Sequence, residues 1–289
     1  MNFGYLSGYF GQYKLVNTQF IHASAVYTHA STNTPYGAFY APEDATHALI
    51  TACGKGGGNG GTGGGAGGGG ASCYRIVFSL KPYRYIPYMF RGITSIIIGA
   101  SNYQADLGIA PILGGMNSVV LTPGALGSGA SGGAGGAATF KYRQSSTTTA
   151  AITASGGAGG GAGANGGSGL IQMLADGGIL AGGGGGGGYQ SGAPPTVGTG
   201  GDVPAPWGTQ TGGRPTGTTG GGGGASLFSR GGSVLHNLPG SAYINITTPN
   251  IISAPGAGQA GSTTTGITAY GWGFIYCEFV KEYDGGTYE

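Results

Sequence analysis

Apolar and β-branched positions along the chain come in short runs, each bounded by Gly, Pro, Asn or Ser. That punctuation predicts strands. The clearest runs are 22–29, 47–52, 74–80, 93–98, 118–122, 139–143, 242–247 and 273–280. Helix periodicity is nearly absent. The one helix-like window, 170–175, is short and runs into Asp176-Gly177-Gly178, so it reads as a loop or a single turn. The expected fold class is therefore all-β with irregular structure and almost no α-helix.

Between the strands lie glycine blocks at 54–70, 124–138, 155–169 and 181–188, with a shorter one at 220–224. Glycine makes up 71 of the 289 residues, against about 7% in ordinary chains. Runs of this kind either stay disordered or order through the backbone alone, because glycine loses the most entropy on ordering and brings no side chain to pack. Charge is only 7% of the chain, while 18 Tyr, 10 Phe and 2 Trp are present. Disordered chains show the opposite balance, so order is expected. An isolated extended glycine helix has three residues per turn and no internal hydrogen bonds. Several such helices side by side satisfy one another, since no Cβ holds them apart. The expected architecture is a β-strand framework supporting a bundle of polyglycine-II helices. Collagen is rejected: there is no triplet period and only 14 Pro, mostly outside the runs.

A net charge of +2 leaves no electrostatic footprint for nucleic acid or an anionic membrane. No run is long enough to span a bilayer, so no membrane insertion is expected. The start, MNFGYLSGYFGQYK, lacks a basic region followed by an apolar core, which favours intracellular synthesis. Cys53 and Cys73 bracket the first glycine block and could be bridged, but the favoured reading is two small buried thiols. Cys277 reads as core. Catalytic chemistry is not evident. The acidic residues are scattered, and His22, His29, His47 and His236 lack metal-ligand spacing. Gly54-Lys55-Gly56 has neither the Ser/Thr nor the helix of a phosphate loop. The expectation is a non-enzyme without metal or cofactor.

The segment FYAPEDATHALITACGKGGGNGG, residues 39–61, resembles the opening of the glycine-rich domain of bacteriophage tail-fibre and tail-tip proteins, in which a strand runs straight into a glycine block. GWGFIYCEFV at 271–280 is similar to that family's closing strand, and GGGGASLFSRGG at 221–232 to its glycine run followed by Ser and an aromatic. The resemblance spans roughly residues 36–282. It implies a virion location, synthesis in the host cytoplasm, and a rigid scaffold whose loops bind an outer-membrane protein or glycan of the host. Residues 1–35, rich in Tyr and Phe, are then expected to attach residues 36–289 to other tail proteins. A homotrimer would suit a fibre axis, but no heptad pattern marks one.

Two segments stand out as recognition loops. Residues 189–219 carry no strand or helix pattern, and a loop of that length is functional or disordered. Its candidate contacts are Tyr189, Gln190, Asp202, Trp207 and Arg214. The segment PYRYIPYMF at 82–90 supplies Tyr83, Tyr85 and Tyr88 as a second set. Each has a plainer alternative: Trp207 as a cap on one end of the bundle, the tyrosines as core. Two other functional classes compete with the adhesin. One is a purely structural virion part, such as a fibre segment, tip cap or coat component. The other is an ice-binding or extracellular glycine-rich protein, against which the irregular glycine interruptions weigh.

Overall fold

A computed structural model describes residues 13–23, 36–54, 56–58, 65–81, 84–90, 118–121, 138–143, 149–154, 157–161, 163–190, 192, 196–214, 221–231, 255–258 and 273–282. Within these residues the protein is all-β and contains no helix.

Strands β1 (Tyr13–Ala23), β3 (His47–Cys53), β4 (Ser72–Ser79), β9 (Ile171–Met173), β10 (Ile179–Ala181) and β15 (Gly273–Glu282) build one sheet. Its order is β1-β15-β3-β4-β10-β9, antiparallel throughout. Strands β2 (Tyr36–Tyr40), β5 (Tyr85–Phe90), β6 (Ser118–Leu121), β7 (Ala138–Arg143) and β8 (Thr149–Ala154) build a second sheet in that order, with β5 and β6 parallel. Period-two alternation sorts the faces of the first sheet. On β15, Ile275, Cys277 and Phe279 are buried while Tyr276 and Glu278 are half-buried. The buried row joins Ala48, Ile50, Ile76 and Phe78, and meets Phe39 and Ile86 from the second sheet. This is the larger of the two apolar clusters. A second one, of Ile179, Ala181, Val203, Ala205, Ala225 and Leu227, lies where the first sheet meets the glycine segments.

Four strands of the first sheet run directly into glycine. Residues 54–58 follow β3, 65–71 lead into β4, 163–170 lead into β9, and 182–188 follow β10. The described residues of 54–58, 65–71 and 183–188 are buried, 163–170 is largely exposed, and all four segments exchange backbone hydrogen bonds. The segment 182–188 is central, and its partners change with a period of three. Gly182, Gly185 and Gly188 donate to Leu170, Gly167 and Ala164 at 2.8, 2.7 and 2.7 Å. Gly184 and Gly187 donate to Ala225 and Gly222, and Gly186 donates to Ala158. The carbonyls of Gly184 and Gly187 accept from Gly69 and Ala66, and those of Gly185 and Gly188 from Gly201 and Gly198. Donor and acceptor numbers run in opposite senses in the paired bonds. The central segment is therefore antiparallel to 65–70, 163–170, 198–201 and 221–225. This answers the question that any buried glycine run poses, namely where its peptide groups find partners. Close approach is what requires glycine here: a Cβ on Gly184 or Gly186 would overlap the carbonyl of Gly201 or Ala66.

The expected strands at 47–52, 74–80, 118–122, 139–143 and 273–280 are present, while those at 93–98 and 242–247 lie outside the described residues. Two expectations need correction, and one is met only at its first residues. Residues 22–23 of the strand expected at 22–29 belong to β1, which starts upstream at Tyr13, while 24–29 lie outside the described residues. A register shift between Leu15 and Asn17 breaks the alternation that would have marked its start. Residues 170–175 contain β9, added to the sheet edge by β10, before the turn at 175–177. Residues 189–219 are not patternless. They form the hairpins β11 (Tyr189–Gln190) with β12 (Thr196–Val197) and β13 (Val203–Ala205) with β14 (Gly208–Gln210). Ladders of two or three residues are too short for any hydrophobic period to register.

Candidate functional site

The chain path sorts the loops by end. Residues 182–188 leave the sheet, so the β11–β12 hairpin that follows lies at the far end of the array. Residues 198–201 return toward the sheet, which puts the β13–β14 hairpin at the near end. Residues 212–214 run outward again: Gly200 donates to Gly213 at 2.8 Å and Gly212 to the Asp202 Oδ1 at 2.7 Å, so Arg214 points its chain to the far end. Residues 163–165 start at that same end, since Gly188 donates to Ala164.

Far-end residues are tied together locally. Asn165 Oδ1 accepts from the Thr199 amide at 2.9 Å and from the Thr199 hydroxyl at 3.2 Å. Gly163 turns with a φ of 63°, and a Cβ there would lie 3.1 Å from Thr196 Cγ2 and 3.5 Å from Gln190 Cβ. The turn thus seats 163–165 against the β11–β12 hairpin, in a conformation that favours glycine. Asn165, Gln190, Thr196, Thr199 and Arg214 are exposed and Tyr189 is half-buried.

Of the candidate contacts read from the sequence, the far end gathers Tyr189, Gln190 and Arg214. Asp202 and Trp207 belong to the near end. The Asp202 carboxylate secures Gly212, and its carbonyl accepts from Gly169 at 2.7 Å. Trp207 is 38% exposed and packs edge-on against Tyr74 at 5.2 Å and stacks with Phe228 at 6.1 Å. Phe228 continues to Phe274 at 5.4 Å, and Phe274 stacks on Phe20 at 5.9 Å. That aromatic row lies at the junction of sheet and array, at the near end of the glycine segments. Tyr85 and Tyr88 lie on β5, where Tyr88 packs 4.6 Å from Phe39 and Tyr85 6.1 Å from Tyr40. Burial pushes the Tyr88 phenol up. Tyr83 lies outside the described residues. Asn165, Thr196 and Thr199 were missed as candidates. Their only signal is position, as side-chain-bearing residues at the ends of glycine runs.

Titratable chemistry is sparse. Cys53, Cys73 and Cys277 are free and buried, as favoured over a bridge. Burial raises all three thiols, Cys53 to about 11. Among the described residues no group of His, Cys, Asp and Glu gathers as a metal site would require. The chain matches no protein-family model, and no curated protein matches it.

Proposed function

We propose that this chain is a virion tail-fibre or tail-tip protein, a receptor-binding adhesin that recognises the host cell surface through loops on a rigid polyglycine-II scaffold. The observation that carries this reading is the period of three in the hydrogen-bond partners of residues 182–188. Three residues per turn is the repeat of a polyproline-II-type helix, and neighbours on several sides are the expected surroundings of one within a bundle. At a rise of about 3.1 Å per residue such a scaffold holds its end loops well clear of the sheet. Its peptide-to-peptide cement leaves the loops free to vary without disturbing what holds them. Tyr189, Gln190 and Arg214 are then the primary contacts, Asp202 and Trp207 support the near end, and residues 1–35 attach the chain to other tail proteins. The partner is an outer-membrane protein or glycan of the host.

Adsorption competition tests the reading. Purified chain at saturating concentration should block adsorption of the phage that carries it, and mass spectrometry should find the chain in purified tails. Undiminished adsorption, with the chain present in tails, would favour a structural virion part instead. Absence from the particle would remove both. Hydrogen exchange tests the scaffold independently: the amides of 184–187 should be strongly protected, and rapid exchange there would refute a bonded bundle.

A further inference from the structure

The far end carries a particular chemistry. Among the described residues its exposed side chains are two carboxamides, Asn165 and Gln190, two hydroxyls, Thr196 and Thr199, and one guanidinium, Arg214, while Tyr189 is half-buried. The Asn165 oxygen is occupied by Thr199, so its orientation is set with the amide nitrogen left to donate outward. No carboxylate among the described residues shares this end. Asp202 is at the near end and its Oδ1 is engaged by Gly212. Asp176 lies in the turn between β9 and β10, where its Oδ1 accepts from Gly178. Arg214 therefore faces outward with no acidic neighbour there among the described residues.

The exposed large apolar side chains of the described residues all lie elsewhere. Leu15 and Phe20 are on β1, Tyr40 on β2, Leu170 and Met173 at β9, and Trp207 at the near end. Protein-binding surfaces are built around desolvated aromatic and aliphatic anchors within a polar rim. Among the described residues the far end has the rim chemistry, with Tyr189 half-buried and no exposed large apolar side chain. Paired donors and acceptors match a ligand rich in hydroxyls, and an unopposed guanidinium matches a planar anion, which it grips through two parallel N–H donors.

We infer that the far end of the glycine array, through Arg214 with Asn165, Gln190 and Thr196, binds an acidic polysaccharide of the cell envelope rather than a surface protein. This rests on the adhesin reading and narrows its partner to one class.

The test uses the full purified chain and intact cells to which the phage adsorbs, either untreated, treated with protease, or oxidised with periodate to open vicinal diols of sugars. Binding should survive protease and fall at least tenfold after periodate. Arg214→Gln should weaken binding about tenfold and flatten its decline with salt, Arg214→Lys should recover part of it, and both should melt like the parent. Asn165→Ala provides a second, uncharged probe and should also weaken binding. Binding lost to protease but kept after periodate, or an Arg214→Gln variant that binds like the parent, would overturn the polysaccharide assignment while leaving the adhesin reading intact. A folded chain that binds none of the cells would bring down the adhesin reading and this inference with it.

Discussion

The amide of Gly69 donates to the carbonyl of Gly184 at 2.8 Å, joining the run that enters β4 to the run that leaves β10. The Gly184 amide donates onward to Ala225 at 2.9 Å. Contacts of this kind leave no room for a side chain, since a Cβ on Gly184 would overlap the Gly201 carbonyl. Gly184→Ala is expected to destabilise the fold by about 1–3 kcal/mol from overpacking, less a smaller gain from a stiffer unfolded chain. Gly167 is the control, because a Cβ there meets nothing within 4 Å. Gly167→Ala should be neutral or stabilising by up to about 1 kcal/mol. Urea unfolding of the two variants checks the contrast. Equal losses at both positions would mean that close packing is not what demands glycine.

A second prediction concerns the half-buried ion pair that spans β3. Arg75 Nε and its terminal nitrogen donate to the two Glu278 carboxylate oxygens at 3.1 and 3.3 Å. Arg75 sits at an irregularity in the β3–β4 ladder with a φ of 48°, and its amide donates to Thr51 Oγ1 at 3.2 Å. The left-handed conformation turns its side chain across the sheet, at some strain. Glu278→Gln should lower stability by roughly 1–2 kcal/mol, as expected for hydrogen bonds to a charged group that is partly screened. Denaturant midpoints in low and high salt provide the check, with the loss shrinking as salt rises.

pH dependence should single out His47. Burial lowers its basicity below the usual 6.5, more than the neighbouring Glu282 carboxylate at 3.8 Å raises it, and Lys81 adds to the lowering. The unfolded chain therefore binds this proton more readily than the folded one. Stability linked to His47 is complete above 6.5 and is lost as pH falls from there toward its lowered folded value. Melting temperature between about pH 7.5 and 5 should fall less steeply in His47→Gln than in the parent. Parallel curves would exclude the histidine as a contributor.

The thiols should be inert in the folded state. Cys53 accepts from the Ser72 hydroxyl at 3.1 Å and is fully buried, so its thiolate is scarce at neutral pH. Reaction with a thiol reagent should be slow in native buffer and complete in denaturant, and reducing agent should leave the melting temperature unchanged. A shift on reduction would reveal a bridge.

Legibility in the sequence followed element length. β3, β4, β7 and β15 carry enough β-branched and aromatic residues between glycine and polar boundaries to be read directly. β11 to β14 are too short for any pattern, and β1 hides behind its register shift. The candidate site was legible in part. Tyr189, Gln190 and Arg214 share one end, but Trp207 and Asp202, close to them in sequence, belong to the other. The chain crosses the array between them at 198–201, a reversal that glycine leaves unmarked.

By itself the sequence determined that this protein is all-β, that its strands alternate with glycine runs, and that its thiols are buried rather than exposed. Those properties are local, set by side-chain shape and by what borders each run. Tertiary structure alone decided which glycine runs lie beside one another, in which direction, and which loops meet at the far end. Segments without side chains carry no pattern to choose a partner. Direction and register come instead from the strands that β3, β4, β9 and β10 anchor in the sheet, and peptide groups then pair with whatever backbone those strands bring alongside.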